Sequence, residues 1–506
     1  MEARIALVLV GFMGAGKSTG ARSLAAELGA EPLDSDRELE QRLAEPLESF
    51  FDREGEQRLR AREEEVVLEL LGRPDAAVVA LGGGAVGSES VRAALAQHTV
   101  VHLEVEPEEA WRRASGKGRP LARDSGRFAQ LHGDRASLYE SVADAVLPPG
   151  DRDALRRALP ALRALAEAPS GTRLVWAFSS SGEYPVFLGH GLIESGFFYP
   201  GDARRMVVTD ENVARAQPFE GDERIVTMAG EEHKSIHAAE FVLRGLAEAG
   251  AERGDIVVAV GGGVVGDLAG FCAAIYQRGI RHVQVPTTLV SQVDSAYGGK
   301  TGIDLPEGKN YAGAFHQPSA VLCDPSALET LPPEELGAGY AEVVKTALIA
   351  GGSLWARVRQ GGEVDPEVIL GCVRTKLAVV AEDERDDGRR QVLNLGHTIG
   401  HAIESASGYT RYRHGEAVAI GLLAALRLSG RDALRREVAE LLAARGLPAG
   451  FSGASVDDVL DRVRHDKKRA GGRVPFVLVE APGEVTPGHE VAPDDLRAAV
   501  EEVHAE

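Results

Sequence analysis

A predicted buried strand followed directly by a run of glycines, at residues 256–266, restricts the later part of this chain to a few folds. Residues 256–260 are apolar and mostly β-branched, and Gly261, Gly262, Gly263 and Gly266 follow directly. A strand that turns through glycines into a helix is typical of an open α/β sheet. Glycines let backbone N–H groups approach phosphate oxygens, and the start of a helix favours negative charge. The turn therefore predicts either a dinucleotide site or merely a tight connection.

Polar side chains crowd the segment that follows this turn. They lie among many glycines in predicted loops, where functional groups are more often ligand contacts than structural ones. The residues are Thr287, Thr288, Asp294, Lys300, Lys309 and Asn310. Their density favours the dinucleotide interpretation.

The overall composition excludes several classes of protein. A length of 506 residues predicts about three domains at ordinary domain sizes. The net charge of −21 would repel nucleic acid and anionic membranes, so neither is expected as a partner. Cys272, Cys323 and Cys372 are widely spaced, which predicts no disulfide framework and a reducing, cytoplasmic location. No apolar run of about 18 residues is present, so a membrane span is not expected.

The first residues contain the most specific single motif. A short apolar strand, residues 5–10, runs into the pattern Gly-x-x-x-x-Gly-Lys-Ser over residues 11–18, and a helix is predicted after it. In such a loop backbone N–H groups surround phosphates, Lys17 reaches the β and γ oxygens, and the Ser18 hydroxyl binds magnesium. The sequence therefore predicts a P-loop nucleoside triphosphate site.

Two aspartates, Asp34 and Asp36, alternate at the end of the next predicted strand. Alternation would put both carboxylates on one side, where one could hold a metal-bound water and the other a substrate hydroxyl. The alternative is that they belong to a turn or cap the following helix. Further along, Arg60 and Arg135 lie in predicted helices and Arg119 in a glycine-rich basic loop. Arginines can bind a small carboxylate in bidentate fashion.

With the glycine triplet at 82–84, these motifs make residues 1–168 resemble shikimate kinase. The resemblance implies an α/β P-loop domain with a parallel sheet that phosphorylates the 3-hydroxyl of shikimate from ATP with magnesium. The implied ATP residues are Gly14, Ala15, Gly16, Lys17, Ser18, Thr19 and Arg119. The implied shikimate residues are Asp36, Arg60, Gly82, Gly83 and Arg135. Lys17, Asp36 and Arg119 would act in catalysis, and Ser18 and Asp34 would serve magnesium. Either Arg112 or Arg113 would lie on the adenine.

A change of character near Gly171 predicts a boundary. Strands and helices alternate from residue 172 to about 325, as in an open α/β sheet, and helix formers dominate residues 326–506. In the helical part His397 and His401 are four residues apart and would share a helix face. By spacing alone they are the obvious zinc pair.

The second part resembles 3-dehydroquinate synthase. The motifs that carry the resemblance are GGGVVGDLAGF from Gly261, QRG from Gln277, VPTTLVSQVDSAYGGKTGI from Val285 and EGKNYAGAFHQP from Glu307. The resemblance implies a Rossmann-like NAD-binding α/β subdomain over 172–325 and an all-α metal- and substrate-binding subdomain over 326–506. It also implies the conversion of 3-deoxy-D-arabino-heptulosonate 7-phosphate to 3-dehydroquinate. In that reaction a ring hydroxyl is oxidised by NAD, phosphate leaves, the hydride returns, and ring opening and an internal aldol step follow.

The same resemblance assigns residues to roles. Glu342, His397 and His414 would bind zinc or cobalt, with His401 facing the substrate. The implied NAD residues are Asp210, Asn212, Glu231, Lys234, Gly262, Gly263, Val264, Asp267, Thr287, Thr288, Asp294, Lys309 and Thr330. The implied substrate residues are Arg278, Lys300, Asn310, Lys345, Lys376, Arg390, Asn394, His401 and Lys467, with Lys468 as a second candidate beside Lys467. Those implied in catalysis are Lys300, Lys345, Lys376, Arg390, Asn394 and His401.

Three other functions fit parts of this pattern. A kinase joined to a zinc polyol dehydrogenase would not need so many cations together, and it would release NADH. A related cyclase for another sugar phosphate should lack the carboxylate-binding cations, and a scaffold of inactive copies should lack chemical residues, none of which is missing. The sequence thus predicts a bifunctional enzyme of aromatic amino-acid (chorismate) biosynthesis with small-molecule partners. A homodimer through the second part is a further expectation.

Overall fold

The computed structural model describes residues 6–116, 119–149, 153–201, 203–217, 219–469 and 474–505, with the backbone only at 465–469. The chain divides into two compact units. The first comprises Met1–Ala177 and Pro185–Phe187, and the second comprises Phe178–Tyr184 and Leu188–Glu506. This division falls a few residues beyond Gly171, and the finer three-part division remains a prediction.

The first unit contains a parallel sheet with strand order β2-β3-β1-β4-β5-β6. Its strands are β1 (Leu7–Val10), β2 (Pro32–Asp34), β3 (Val78–Ala80), β4 (Thr99–Leu103), β5 (Ala145–Leu147) and β6 (Arg173–Ser179), of which Phe178 and Ser179 belong to the second unit. Its helices are α1 (Lys17–Leu28), α2 (Ser35–Leu43), α3 (Leu47–Glu54), α4 (Glu56–Leu71), α5 (Glu89–Leu95), α6 (Pro107–Ala114), α7 (Ser125–Val142) and α8 (Ala154–Leu165). Val8, Leu9 and Val10 are buried, which is typical of a central parallel strand covered on both faces. The P-loop leaves the carboxyl end of this strand.

The second unit begins with a parallel sheet of order β14-β11-β10-β8-β9. The strands of this half are β7 (Gly182–Leu188), of which Pro185–Phe187 belong to the first unit, β8 (Arg205–Asp210), β9 (Glu223–Thr227), β10 (Ile256–Gly261), β11 (Arg281–Pro286) and β14 (Ala320–Cys323). Its helices are α9 (Glu211–Ala216), α10 (Ile236–Glu248) and α11 (Gly263–Ile275). β12 (Lys300–Leu305) and β13 (Gly308–Phe315) pair as an antiparallel hairpin. Lys300, Lys309 and Asn310 thus lie on strands, although loops were predicted for them.

The rest of the second unit is helical. Its helices are α12 (Pro333–Ala350), α13 (Gly352–Val358), α14 (Pro366–Glu382), α15 (His397–Ala406), α16 (His414–Leu428), α17 (Asp432–Ala443), α18 (Val456–Arg469) and α19 (Pro493–Glu502). α12 is buried on every side from Gly337 to Ile349 and packs against α14 and α16. A hairpin of β15 (Phe476–Ala481) and β16 (Glu484–His489) is an addition to the predicted all-α pattern. None of the described helices is long and apolar enough to cross a membrane.

Candidate active sites

Lys17 of the P-loop lies against the backbone of the loop it belongs to. Its ammonium Nζ donates to the carbonyl oxygens of Gly11 at 2.7 Å and Phe12 at 3.0 Å, and the residue is 9% exposed. Burial lowers the pKa of Lys17 to about 8, although the carboxylate of Asp36 opposes this. Gly14, Ala15 and Gly16 precede it, and Ser18 and Thr19 are exposed in the first turn of α1. The ammonium and the helix start therefore flank one anion-binding position.

The prediction that Asp34 and Asp36 alternate along a strand is wrong. β2 ends at Asp34, whose Oδ1 accepts hydrogen bonds from the backbone N–H groups of Asp36 and Arg37 at 3.1 and 3.2 Å. Asp34 therefore caps α2, as the alternative interpretation held, because an extended aspartate can satisfy the free donors of a helix start. Asp36 lies in the first turn of that helix.

The shikimate residues implied by the resemblance lie together. A Cβ at Gly82 would come within 2.4 Å of Asp36 Oδ1, and one at Gly84 within 2.0 Å of Arg60 NH1. Arg135 NH1 donates to the carbonyl oxygen of Gly83 at 3.0 Å. Burial raises the pKa of Asp36 to about 6 with help from the Glu63 carboxylate, while Lys17 opposes the shift.

Two residues of this site were not predicted from the sequence. Glu63 is buried and accepts a hydrogen bond from Arg60 NH1 at 2.5 Å, and Tyr139 donates to the carbonyl oxygen of Gly83 at 2.6 Å. Glu63 follows Arg60 by three residues and Tyr139 follows Arg135 by four, so helical spacing places each pair on one face. This helical spacing is the feature of the sequence that could have identified Glu63 and Tyr139.

The structure separates the two arginines considered for the adenine. Arg113 NH1 donates to the P-loop carbonyl of Gly14 at 3.1 Å, whereas the side chain of Arg112 is 77% exposed and pairs with Glu109. Arg119 lies close enough to act electrostatically on Lys17 and Asp36. Arg113 is thus the arginine that contacts the P-loop.

Most of the NAD residues implied by the resemblance lie at or just after the carboxyl ends of neighbouring parallel strands, whereas Lys309 lies in the antiparallel hairpin and Asp294 in a helical turn. Asp210 ends β8 and caps α9, which contains Asn212. Gly262, Gly263, Val264 and Asp267 form the turn after β10 and the start of α11, Thr287 and Thr288 follow β11, and Thr330 ends a 3-10 helix after β14. This edge of an open parallel sheet is where such folds bind ligands.

The glycine turn itself offers a place for a ligand. A Cβ at Gly262 would approach Thr288 Cγ2 to 2.9 Å. Within the described residues, the buried hydroxyls of Thr287 and Ser295 have no hydrogen-bond partner. Buried polar atoms of this kind normally have a partner, so unsatisfied hydroxyls beside a turn that only glycine fits suit a bound dinucleotide.

A buried lysine organises the polar side chains next to this turn. Lys234 Nζ lies 2.8 Å from Glu231 Oε1, 3.3 Å from Asp267 Oδ2 and 2.8 Å from Asn310 Oδ1. Burial would lower the pKa of Lys234, but the carboxylates of Asp267 and Glu231 raise it above its ordinary value. Lys309 Nζ contacts Glu404 Oε1 at 3.0 Å. The resemblance assigns Asn310 to the substrate site, but in the structure Asn310 contacts Lys234, which the resemblance assigns to the NAD site.

A second set of buried charges surrounds Asp294. Its Oδ1 lies 2.6 Å from Lys376 Nζ and its Oδ2 4.0 Å from Lys345 Nζ, and Lys345 also pairs with Glu342 one helical turn away. Burial would raise the pKa of Asp294, but the two ammonium groups lower it to about 2. These ionised groups connect α12 to the edge of the sheet that carries the predicted NAD residues.

Close helix packing brings the metal ligands implied by the resemblance together. A Cβ at Gly415 would lie 1.9 Å from the carbonyl oxygen of Ala338, so the start of α16 touches α12. This contact sets His414 against Glu342. Nε2 of His414 lies 3.4 Å and Nε2 of His397 3.5 Å from the same oxygen, Glu342 Oε1.

The four candidate ligands form one cluster. His397, His401 and His414 have ligand atoms within 4.8 Å of one another, so the histidine pair suggested by spacing lies in the same place. Glu342 is fully buried, and its Oε2 forms the ion pair with Lys345, whereas its Oε1 accepts no hydrogen bond of good geometry from a described residue. A buried carboxylate oxygen without a hydrogen bond beside imidazole nitrogens fits a divalent cation such as zinc.

The remaining predicted substrate residues are less uniformly placed. Arg390 is buried, Asn394 is exposed just before α15, and Lys300 is half exposed and pairs with Asp386. Arg278 is exposed beyond the far end of α11, about 20 Å from the glycine turn at 1.5 Å per helical residue. Lys467 and Lys468 lie outside the residues whose side chains are described.

The fold and these sites define the chain as a P-loop phosphotransferase unit followed by an α/β-plus-helical enzyme with a dinucleotide edge and a metal cluster. Residues 224–338 and 339–469 match the family models of the N-terminal and C-terminal parts of 3-dehydroquinate synthase, and residues 13–164 match that of shikimate kinase. The chain belongs to the 3-dehydroquinate synthase family and carries a shikimate kinase domain ahead of the synthase. The predicted fold class and both resemblances are confirmed.

Individual relatives support this family assignment. The chain is 42% identical over 351 residues to the 3-dehydroquinate synthase of Nitrobacter hamburgensis, which covers 62% of this chain and 91% of that protein. It is 41% identical over 346 residues to that of Halorhodospira halophila, covering 64% and 98%. The crystal structure of 2-deoxy-scyllo-inosose synthase with carbaglucose-6-phosphate, NAD+ and Co2+ aligns with a TM-score of 0.58 at 25% identity, covering 66% of this chain and all of that one.

Proposed function

We propose that this chain is a bifunctional enzyme. Its second unit would convert 3-deoxy-D-arabino-heptulosonate 7-phosphate to 3-dehydroquinate with release of phosphate, and its first unit would phosphorylate shikimate from ATP. The observation that carries the synthase proposal is the convergence of His397 and His414 on one oxygen of the buried Glu342. Family membership and the match to shikimate kinase support both activities.

Two bound groups belong to the synthase proposal. The residues after β8, β10 and β11 would hold NAD, and Glu342, His397 and His414 would hold zinc or cobalt. When bound, NAD supplies a reversible hydride acceptor and the metal supplies a Lewis acid for a hydroxyl oxygen. An inosose synthase of similar fold holds NAD+ and Co2+, which supports this pair.

The protein's own side chains would bind and orient the substrate. Lys345, Lys376 and Arg390 are buried cations, and a substrate with a carboxylate and a phosphate would be attracted to them. His401 lies exposed at the edge of the same histidine cluster, where its imidazole could exchange a proton with the bound substrate.

Chelation tests the synthase proposal. Purified protein, NAD and the heptulosonate phosphate are expected to release inorganic phosphate without accumulating NADH, because the hydride returns to the substrate. Prior treatment with a chelator should abolish the release, and zinc or cobalt should restore it. Release that ignores chelation would contradict the proposal, and accumulation of NADH would favour the polyol dehydrogenase instead.

In the kinase unit Asp36 would accept the proton of the shikimate hydroxyl. Arg60 and Arg135 would bind the shikimate carboxylate, and Lys17 and Arg119 would stabilise charge on the transferred phosphoryl group. The Ser18 hydroxyl and the Asp34 carboxylate offer the oxygen ligands that magnesium prefers, and the helix cap uses only Oδ1 of Asp34.

The raised pKa of Asp36 predicts a pH dependence for the kinase. A base acts only when deprotonated, so kcat/KM for shikimate should rise with pH through about 6 and level off above it. Glu63→Gln removes the charge that helps to raise this pKa, so the rise should move to lower pH. The profile is measured at saturating ATP from pH 5 to 8. A profile that keeps its position in Glu63→Gln would contradict the assignment of Asp36 as the base.

We also propose a cytoplasmic homodimer formed through the synthase unit. Phe241 on α10 and Ile275 at the end of α11 are 53% and 46% exposed, which suits a covered surface. The three buried free cysteines suit a reducing compartment. Light scattering on the purified chain gives the oligomeric mass, and a monomer at micromolar concentration would contradict the dimer.

A further inference from the structure

The loop after α14 contains a buried carboxylate that no step above uses. Glu384 is 5% exposed, and its Oε2 accepts from the Ser180 hydroxyl and, at 3.0 Å, from the backbone N–H of Ser181. Its Oε1 accepts from the Ser181 hydroxyl and, at 2.8 Å, from Gln317 Nε2. Both oxygens are saturated, so Glu384 is bound on one side to the turn between β6 and β7.

On its other side Glu384 holds Arg390. The backbone carbonyl oxygen of Glu384 accepts from Arg390 NH1, and that of Gly298 accepts from Arg390 NH2 at 3.0 Å. The neighbouring Asp383 accepts from the backbone N–H of Arg390 at 2.9 Å. Arg390 is therefore placed by two carbonyls, which orient its guanidinium and do not neutralise its charge.

The segment 178–184 supports both of those carbonyls. Ser180 and Ser181 hold the carboxylate of Glu384, and the buried hydroxyl of Tyr184 accepts from the backbone N–H of Gly298 at 3.2 Å. The loop after α14, which contains Glu384, also contains Asp386, which pairs with Lys300. The segment 178–184 thus fixes the two carbonyl groups that hold Arg390. Through the loop after α14 it is also connected to Lys300, a second cation of the implied substrate set.

The hydrogen bonds of Glu384 depend on its charge. Burial alone would raise the pKa of Glu384, but the donors from Ser180, Ser181 and Gln317 lower it to about 2. A glutamine would put a donor in place of one oxygen, so four bonds are kept only if the Ser181 hydroxyl and a turned-over amide of Gln317 accept from it. A neutral side chain of the same shape therefore holds these partners less firmly, because it loses the charge-assisted hydrogen bonds.

We infer that Glu384 is a positioning residue of the synthase, which holds Arg390 in place from the turn at Ser180 and Ser181. The inference rests on the proposed role of Arg390 in binding the anionic substrate. It goes beyond that role, because Ser180 and Ser181, which follow the first unit closely in the sequence, become part of the support of the synthase site. A general structural role would instead lower stability without a selective effect on substrate binding.

The test compares Glu384→Ala with the pair Ser180→Ala/Ser181→Ala and with both sets combined. Glu384→Ala should raise KM for the heptulosonate phosphate roughly tenfold, equivalent to about 1.4 kcal/mol. NAD affinity, kcat and shikimate phosphorylation should change less than twofold. The serine pair should produce a similar rise, and the combined variant should be no worse than Glu384→Ala alone, because both remove one linkage. Glu384→Gln should fall between wild type and Glu384→Ala.

Glu382→Ala is the matched control, since Glu382 lies two residues away in an exposed ion pair with Arg389 and should leave KM unchanged. An unchanged KM in Glu384→Ala would overturn the inference, as would rises that multiply in the combined variant. Should Glu384→Ala fold poorly, shown by a lowered Tm, the serine pair and Glu384→Gln carry the same comparison. Wild-type protein that releases no phosphate would instead overturn the proposed function, which is a different result.

Discussion

Replacing Glu342 by glutamine is expected to abolish phosphate release by the synthase unit while shikimate phosphorylation continues. Glu342 is fully buried, and its Oε1 is the atom on which His397 and His414 converge. Glutamine keeps the volume but removes the negative charge that a divalent cation needs. Imidazole binds a metal as the neutral ring, so Glu342 would supply the negative charge among these three ligands, and its loss should cost at least about 4 kcal/mol, or roughly a thousandfold in rate.

The metal content of the purified variant separates this explanation from a damaged fold. Glu342→Gln should retain much less zinc or cobalt than wild type by elemental analysis, and its kinase rate should serve as an internal measure of intact protein. Glu334→Gln lies on the same helix at its exposed start and should behave as wild type in both assays. A variant that keeps its metal and its phosphate release would contradict the ligand assignment.

The sequence predicted the fold correctly where a single local pattern determines the structure of a strand and the turn after it. The strand into the P-loop and the strand into Gly261 are short apolar runs followed by glycines, so burial and turn geometry agree on the same structure. The hairpin Phe476–Ala481/Glu484–His489 was missed because two short strands among helices have no strong period of their own. The sequence left two interpretations of Asp34 open, because alternating carboxylates fit a strand end and a helix cap equally well.

The sites were harder to predict than the fold, because they depend on contacts between distant segments. Spacing suggested His397 with His401, and the resemblance suggested His397 with Glu342 and His414; the packing of α16 on α12 at Gly415 brings all four together. Glu384 gave no signal, because it lies in a charged stretch that looks like exposed loop. Its burial follows from donors more than 200 residues away in the sequence, at Ser180 and Ser181.

Replacing Lys17 by alanine is expected to lower ATP-dependent phosphorylation of shikimate at least about a thousandfold, because it removes the point charge that would lie at the β and γ oxygens. The buried ammonium is already held by the carbonyl oxygens of Gly11 and Phe12, so its loss removes charge from a preformed loop. Phosphate release from the heptulosonate phosphate should be unchanged, and Glu27→Ala, at the exposed far end of α1, is the matched control. Coupled assays of ADP formation and of phosphate release on the same preparation measure both rates. Loss of both activities at unchanged Tm would contradict two independent catalytic sites.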